Sequence, residues 1–215
     1  MPPEGLSGVR RRPVQERSRQ RVERMLDACA EVLDEVGYDA LTTREVARRA
    51  AVPIGTLYQF FADRQALCRS LAERNLDLFV ERLQRRLAAA RVTRWADTAP
   101  IVVAEFVAMK RTVPGFAVVD FGDSRAGRRL LLDAGEVRPN NELVSDRLLA
   151  LGVDTLGLAG APWSAQVLLV AVEATDAVLR LAFRNGLPGD SALIEEATRL
   201  LESYLAARLD RPYHP

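Results

Sequence analysis

Residues 41–67, LTTREVARRAAVPIGTLYQFFADRQAL, gather Thr43, Arg44, Thr56, Tyr58, Gln59 and Arg64. These hydroxyls, guanidiniums and one carboxamide are suited to recognition rather than bond-breaking. Thr43, Thr56 and Tyr58 can donate to phosphate oxygens. Arg44 matches the O6 and N7 acceptors of guanine, and Gln59 the edge of adenine. Gly55, without a side chain, lets a partner approach the backbone closely. Nucleophilic or metal chemistry finds no support: the single His is His214, Cys29 and Cys68 lack metal spacing, and no GxSxG, Walker A or dinucleotide fingerprint occurs. No catalytic residue, metal site or cofactor is implied. An enzyme using a C-terminal pocket is a remote alternative.

Two short helices and the start of a third must position these groups. Thr42-Thr43-Arg44-Glu45 is a capping box, and the helix it opens turns Val46, Ala47 and Ala50 inward. Pro53 suits the first turn of a second helix, Ile54 to Phe61, with Leu57, Phe60 and Phe61 for packing. At about two turns it needs tertiary support. Asp63 caps a fourth helix running to about Arg91. Ahead of them, Val22, Met25, Leu26, Cys29, Leu33 and Val36 recur at helical spacing from Val14 to Val36, and Gly37 ends that helix. Two helices around a tight turn, the second short with polar residues outward, make a helix-turn-helix, whose second helix enters the DNA major groove. Arg64 opposes the dipole of the helix it opens, which an external phosphate would justify.

The bulk properties agree with an all-α protein. The chain has 215 residues, 48% apolar, 27% charged and 6% aromatic, with a net charge of +1. The basic residues are uneven: positions 1–24 carry seven Arg against three Glu, which suggests a local anionic partner. Arg10, Arg11 and Arg12 either reach a minor groove as an arm or belong to a plain tail. Arg48 and Arg49 read as solvated surface, Thr42 as a cap, and Tyr58 as a phosphate contact or an inter-helix packing group. The two cysteines read as buried, reduced thiols. No leader or membrane span is evident, so a soluble cytoplasmic protein without membrane association is expected.

The whole stretch from Leu41 to Leu67, preceded by a helix ending in Gly37-Tyr38, resembles the signature of TetR-family transcriptional regulators. The resemblance implies that Thr43, Thr56, Tyr58 and Arg64 contact phosphates while Arg44, Ile54, Gly55 and Gln59 face bases. Phe60 replaces a His common in the family and Arg64 a Lys, each keeping its physical role. The implied organisation is a flexible basic tail (1–13), a three-helix helix-turn-helix domain (14–62) and a helical ligand-binding and dimerisation domain (63–210).

Beyond residue 70 the resemblance carries fold, not chemistry. Asp97 and Pro100 open a fifth helix, closed by Pro114-Gly115. A short helix is expected around Ser124 to Ala134, another from Asn140 to about Leu151, then a loose linker with Gly152, Gly157 and Gly160. Two long helices finish the chain, Trp163 to Asn185 and one capped by Asp190 or Ser191. On the fifth, Val102, Glu105, Phe106 and Met109 share a stripe, and with Trp95 and Phe121 they are the candidate ligand-binding residues; Phe116, Trp163 and Phe183 could add walls. Glu105, an acid in an apolar run, would welcome a cationic or hydrogen-bonding ligand if unpaired. Glu173 and Asp176 raise the same question, although Asp176 can pair with Arg180. The candidate dimer interface is Leu168, Val172, Thr175 and Leu179 with Leu200, Leu201, Tyr204 and Leu205, paired into a four-helix bundle. The function expected is a homodimeric repressor released from a palindromic double-stranded DNA operator by a small-molecule inducer, apolar with a cationic variant open. The alternative is a ligand-independent DNA-binding regulator with a filled core.

Overall fold

The computed structural model describes residues 16–121, 140–156 and 164–210. Among them the chain is all-α: α1 Glu16–Ala40, α2 Thr43–Arg49, α3 Ile54–Phe60, α4 Arg64–Ala90, a 3-10 turn Ala96–Thr98, α5 Ala99–Thr112, α6 Asn140–Leu156, α7 Ser164–Ala182 and α8 Ser191–Arg208. The expected basic tail, the helix near Ser124 to Ala134, Gly157, Gly160, Trp163 and His214 lie outside the described residues. No helix among the described residues is long and apolar enough to cross a membrane.

The local stop and start signals act as their chemistry dictates. Gly37 breaks α1 at φ 72°, and the last turn resumes at Tyr38. Thr42 Oγ1 accepts from the Glu45 amide at 3.2 Å, Asp63 Oδ1 from the Ala66 amide at 2.7 Å, and Asp190 Oδ1 from the Ala192 and Leu193 amides at 2.9 and 3.2 Å.

The chain divides into two compact units, the first reaching Asp77 and taking in the segment after Thr112, the second formed by Leu78–Arg111 and the chain from Arg138 onward. The division falls inside α4, not at its start. In the first unit, Met25, Leu26 and Leu33 of α1, Val46 of α2, Leu57 of α3 and Leu67 and Leu71 of α4 form one buried cluster, joined by Phe61 and Val119. Cys29 and Cys68 are free and buried in it. The Cys29 thiol is pushed well up by its hydrogen bond with Cys68 and by burial. Arg74 of α4 reaches Asp27 of α1 at 2.7 Å, and buried Asn75 donates to the Val119 carbonyl at 2.8 Å.

In the second unit, Asp210 takes the Trp95 and Ala96 amides at 2.7 and 2.9 Å, tying the end of α8 to the 3-10 turn. The structure corrects one boundary here. Gly152 is not loose linker but lies inside α6, because the Trp95 ring occupies the space its side chain would need: a Cβ would sit 1.9 Å from Trp95 Cη2.

Candidate nucleic-acid interface

The α3 helix is only seven residues long, so its outward face is defined by what it buries. Leu57 and Phe60 point into the core, while Ile54 and Tyr58 are 41% and 43% exposed and Gly55 and Gln59 also face solvent. A Cβ at Gly55 would meet nothing within 4 Å, so the backbone there is open to a partner. Thr56 is half-buried, as is Thr43 at the start of α2, and Arg44 is exposed beside it. The hydroxyls of Thr43 and Tyr58 share a hydrogen bond of 3.0 Å. One hydrogen serves that bond, which leaves the other and the remaining lone pairs for a partner. The structure thus brings seven of the eight expected contact residues onto α2 and α3, and Tyr58 is both exposed and joined across the two helices to Thr43.

The electrostatics separate Arg44 from its neighbours. Arg48 binds Glu45 through Nε and Nη2 at 2.9 and 2.6 Å. That contact holds the Glu45 carboxyl below its ordinary range, and Glu45 therefore faces Arg48 while its amide completes the cap. Arg49 is not solvated as the sequence suggested. Its side chain is 23% exposed and grips Glu35 of α1 in a two-pronged pair at 2.5 and 2.7 Å, which fixes α2 on α1. Glu35 is lowered by the same hydrogen bond.

Arg64 is placed differently from the other seven. It is half-buried, and its Nη1 donates to the carbonyls of Tyr38, Leu41 and Asp39 at 3.2, 3.3 and 3.4 Å. Its guanidinium carbon lies 4.6 Å from the centroid of the Tyr38 ring. Spacing in the sequence gives no signal for these partners, which lie 23 to 26 residues earlier.

In the second unit, Trp95, Phe106 and Met109 are buried and Val102 is half-buried. Glu105 is 6% exposed but is not the unpaired acid envisaged. Arg86 and Arg82 of α4, one turn apart, reach its two oxygens at 2.9 and 3.4 Å. Their i, i+4 spacing was visible in the sequence; the acid they share was not. Trp95 packs against Gly152, as above. Phe121 belongs to the first unit, where it meets Phe116 edge-on at 5.3 Å. Asp176 pairs with Arg180 at 2.5 Å as the spacing suggested, and Glu173 is exposed.

Among the expected dimer residues, Leu168, Thr175, Leu179, Leu201 and Leu205 are buried within the chain itself, Val172 and Tyr204 are half-buried, and Leu200 is 36% exposed. Within the single chain one side of α7 stays uncovered. Gln166, Val170, Glu173, Ala177 and Leu181 form a solvent-facing stripe, with Val170 and Leu181 at 45% and 44%.

Residues 25–71 match the model for bacterial regulatory proteins of the tetR family, and residues 93–209 match the tetracyclin repressor-like C-terminal domain. A TetR-family transcriptional regulator from Streptomyces coelicolor is 43% identical, with 88% of this chain and 99% of that one aligned at a TM-score of 0.75. FadR, a transcriptional regulator from Bacillus subtilis, is 16% identical over 86% of this chain and 97% of its own, TM-score 0.53, which speaks for the fold alone. An HTH-type transcriptional regulator of Staphylococcus aureus strain USA300 is 32% identical over 63 residues, 29% of this chain, and the match spans about a third, 32%, of that relative's length. With its helix-turn-helix face and both family domains in place, the chain belongs to the TetR family and is a DNA-binding transcriptional regulator.

Proposed function

We propose that the protein is a homodimeric repressor that places one α3 in each of two major grooves of a palindromic operator and leaves it when a small molecule enters the second unit. The observation that carries this reading is the outward set on α2 and α3, in which Arg44 and Gln59 face solvent beside the Thr43–Tyr58 hydroxyl pair. A guanidinium and a carboxamide flanked by hydroxyls supply base reading and phosphate contact together. In a dimer, two such faces address half-sites about one helical turn apart.

The ligand we propose is apolar and neutral. A cationic group would need an unpaired acid, and Glu105 already has Arg82 and Arg86. FadR from B. subtilis was crystallised with stearoyl-CoA. That likeness extends to fold only, so this particular ligand is not carried over. Coupling is proposed to run through α4, since the helix that starts at Arg64 also carries the two arginines that hold α5 through Glu105.

Fluorescence anisotropy on a labelled duplex from the DNA flanking the protein's own gene tests this at physiological salt with random competitor DNA. Selective binding is expected, together with release by an apolar compound found as a thermal stabiliser. Failure to prefer that duplex, or any sequence selected from a random pool, would overturn the DNA-site assignment. Stabilisers that never release the DNA would remove the inducer step and favour the filled-core alternative.

A further inference from the structure

The first turn of a helix disfavours a cation, because the unpaired amides there already carry positive partial charge. Arg64 opens α4 all the same. Its surroundings give the reason. The three carbonyls that receive its Nη1 belong to Tyr38, Asp39 and Leu41, where α1 ends. The last carbonyls of a helix lack intrahelical donors and carry negative partial charge, so a cation stabilises that end. The charge that opposes the dipole of α4 therefore complements that of α1. Tyr38, 6% exposed, supplies a fixed ring for the guanidinium to rest on at 4.6 Å. The gripped segment leads at once into Thr42, the cap of α2, and so into Thr43 and Arg44.

We infer that Arg64 is a positioning residue for operator binding: by fastening the end of α1 to the first turn of α4, it sets where Thr43 and Arg44 stand, and it is not a phosphate clamp. Seven-residue α2 has little stability of its own. Its place comes from what grips it: Arg49 on Glu35 to one side, Thr43 on Tyr58 to another, and Arg64 behind its leading turn. One nitrogen meets all three carbonyls, so an ammonium at that point would serve as well, whereas an uncharged thioether would not. The inference rests on α2 and α3 being the DNA-contacting face.

The test uses the full chain with Arg64→Met and Arg64→Lys. Binding is followed by anisotropy across a salt series, on the duplex that wild type selects from a random pool and on an unrelated duplex. Amide hydrogen exchange is followed at Leu41 to Val46. A positioning role predicts that Arg64→Met weakens binding to the selected duplex roughly tenfold, as for a lost charged hydrogen bond, while the slope of log K against log salt stays unchanged. Binding to the unrelated duplex should stay near wild type. The amides from Leu41 to Val46 should exchange faster without a change in the rest of the first unit, and Arg64→Lys should restore all of these. A slope smaller by about one, with equal loss on both duplexes, would make Arg64 a phosphate ligand and overturn the inference. Unchanged binding and exchange in Arg64→Met would overturn it as well. Should Arg64→Met fail to fold, Arg64→Gln, which keeps an uncharged donor, separates the two roles by the same slope. If wild type selects no sequence, the DNA-site assignment fails instead.

Discussion

Arg44, Arg48 and Arg49 sit within six residues on α2, yet their surroundings differ. Arg48 is held by Glu45 and Arg49 by Glu35, both in charge-assisted pairs, while Arg44 is exposed at the first turn, next to the Thr43–Tyr58 pair. Replacing Arg44 by Ala should weaken binding to the selected operator by about 1 to 3 kcal/mol and leave affinity for random DNA nearly unchanged. Arg48→Ala, which removes an exposed pair within one helix, should change either affinity far less. Competition anisotropy on the two duplexes measures both. An equal loss on random DNA in Arg44→Ala would move that residue from bases to phosphates. The outward placement of Arg44, Ile54, Tyr58 and Gln59 was legible in the sequence because it depends on residue type and helical phase. The grip of Arg49 on Glu35 and of Arg64 on the end of α1 was not, since those partners lie on another helix and no local pattern encodes them.

At the level of elements, what could be read in advance was whatever is settled within a turn. Thr42, Asp63 and Asp190 cap the helices they precede through bonds to amides two or three residues on. What could not be read is how one helix meets another. Gly152 looks like a linker residue by composition, but in the fold it gives Trp95 its seat on α6. Glu105 looks like a lone acid until α4 supplies two arginines. The glycine makes a sharp case: with a Cβ only 1.9 Å from the ring, even alanine forces Trp95 or α6 to shift. Gly152→Ala should cost about 1 to 3 kcal/mol of stability in urea unfolding, as overpacking does, and the smaller ring of Trp95→Phe in the same chain should recover part of it. Unchanged stability in the single variant would mean that Trp95 is not seated there.

For the whole molecule, the decisive question is which apolar surface serves the chain and which serves a second copy. Hydrophobic periodicity picks out the richest stripe of α7, and the chain uses that stripe for its own packing: Leu168, Thr175 and Leu179 are all buried. The poorer stripe, with Val170, Ala177 and Leu181 among Gln166 and Glu173, is left facing solvent, and Leu200 of α8 is exposed as well. Small and medium apolar residues at helical spacing, with few charges, suit a helix pairing with its two-fold mate. Leu181→Glu should therefore leave the helical content intact but shift the protein to monomers in sedimentation velocity. Operator affinity should then fall by a factor on the order of 10² or more, because the second half-site is no longer tethered to the first. Leu168→Ala should do the reverse, lowering unfolding stability by roughly 2 to 5 kcal/mol while the folded fraction remains dimeric. A dimer that survives Leu181→Glu would exclude this stripe from the interface. A stable monomer in Leu168→Ala would return the interface to the richer stripe.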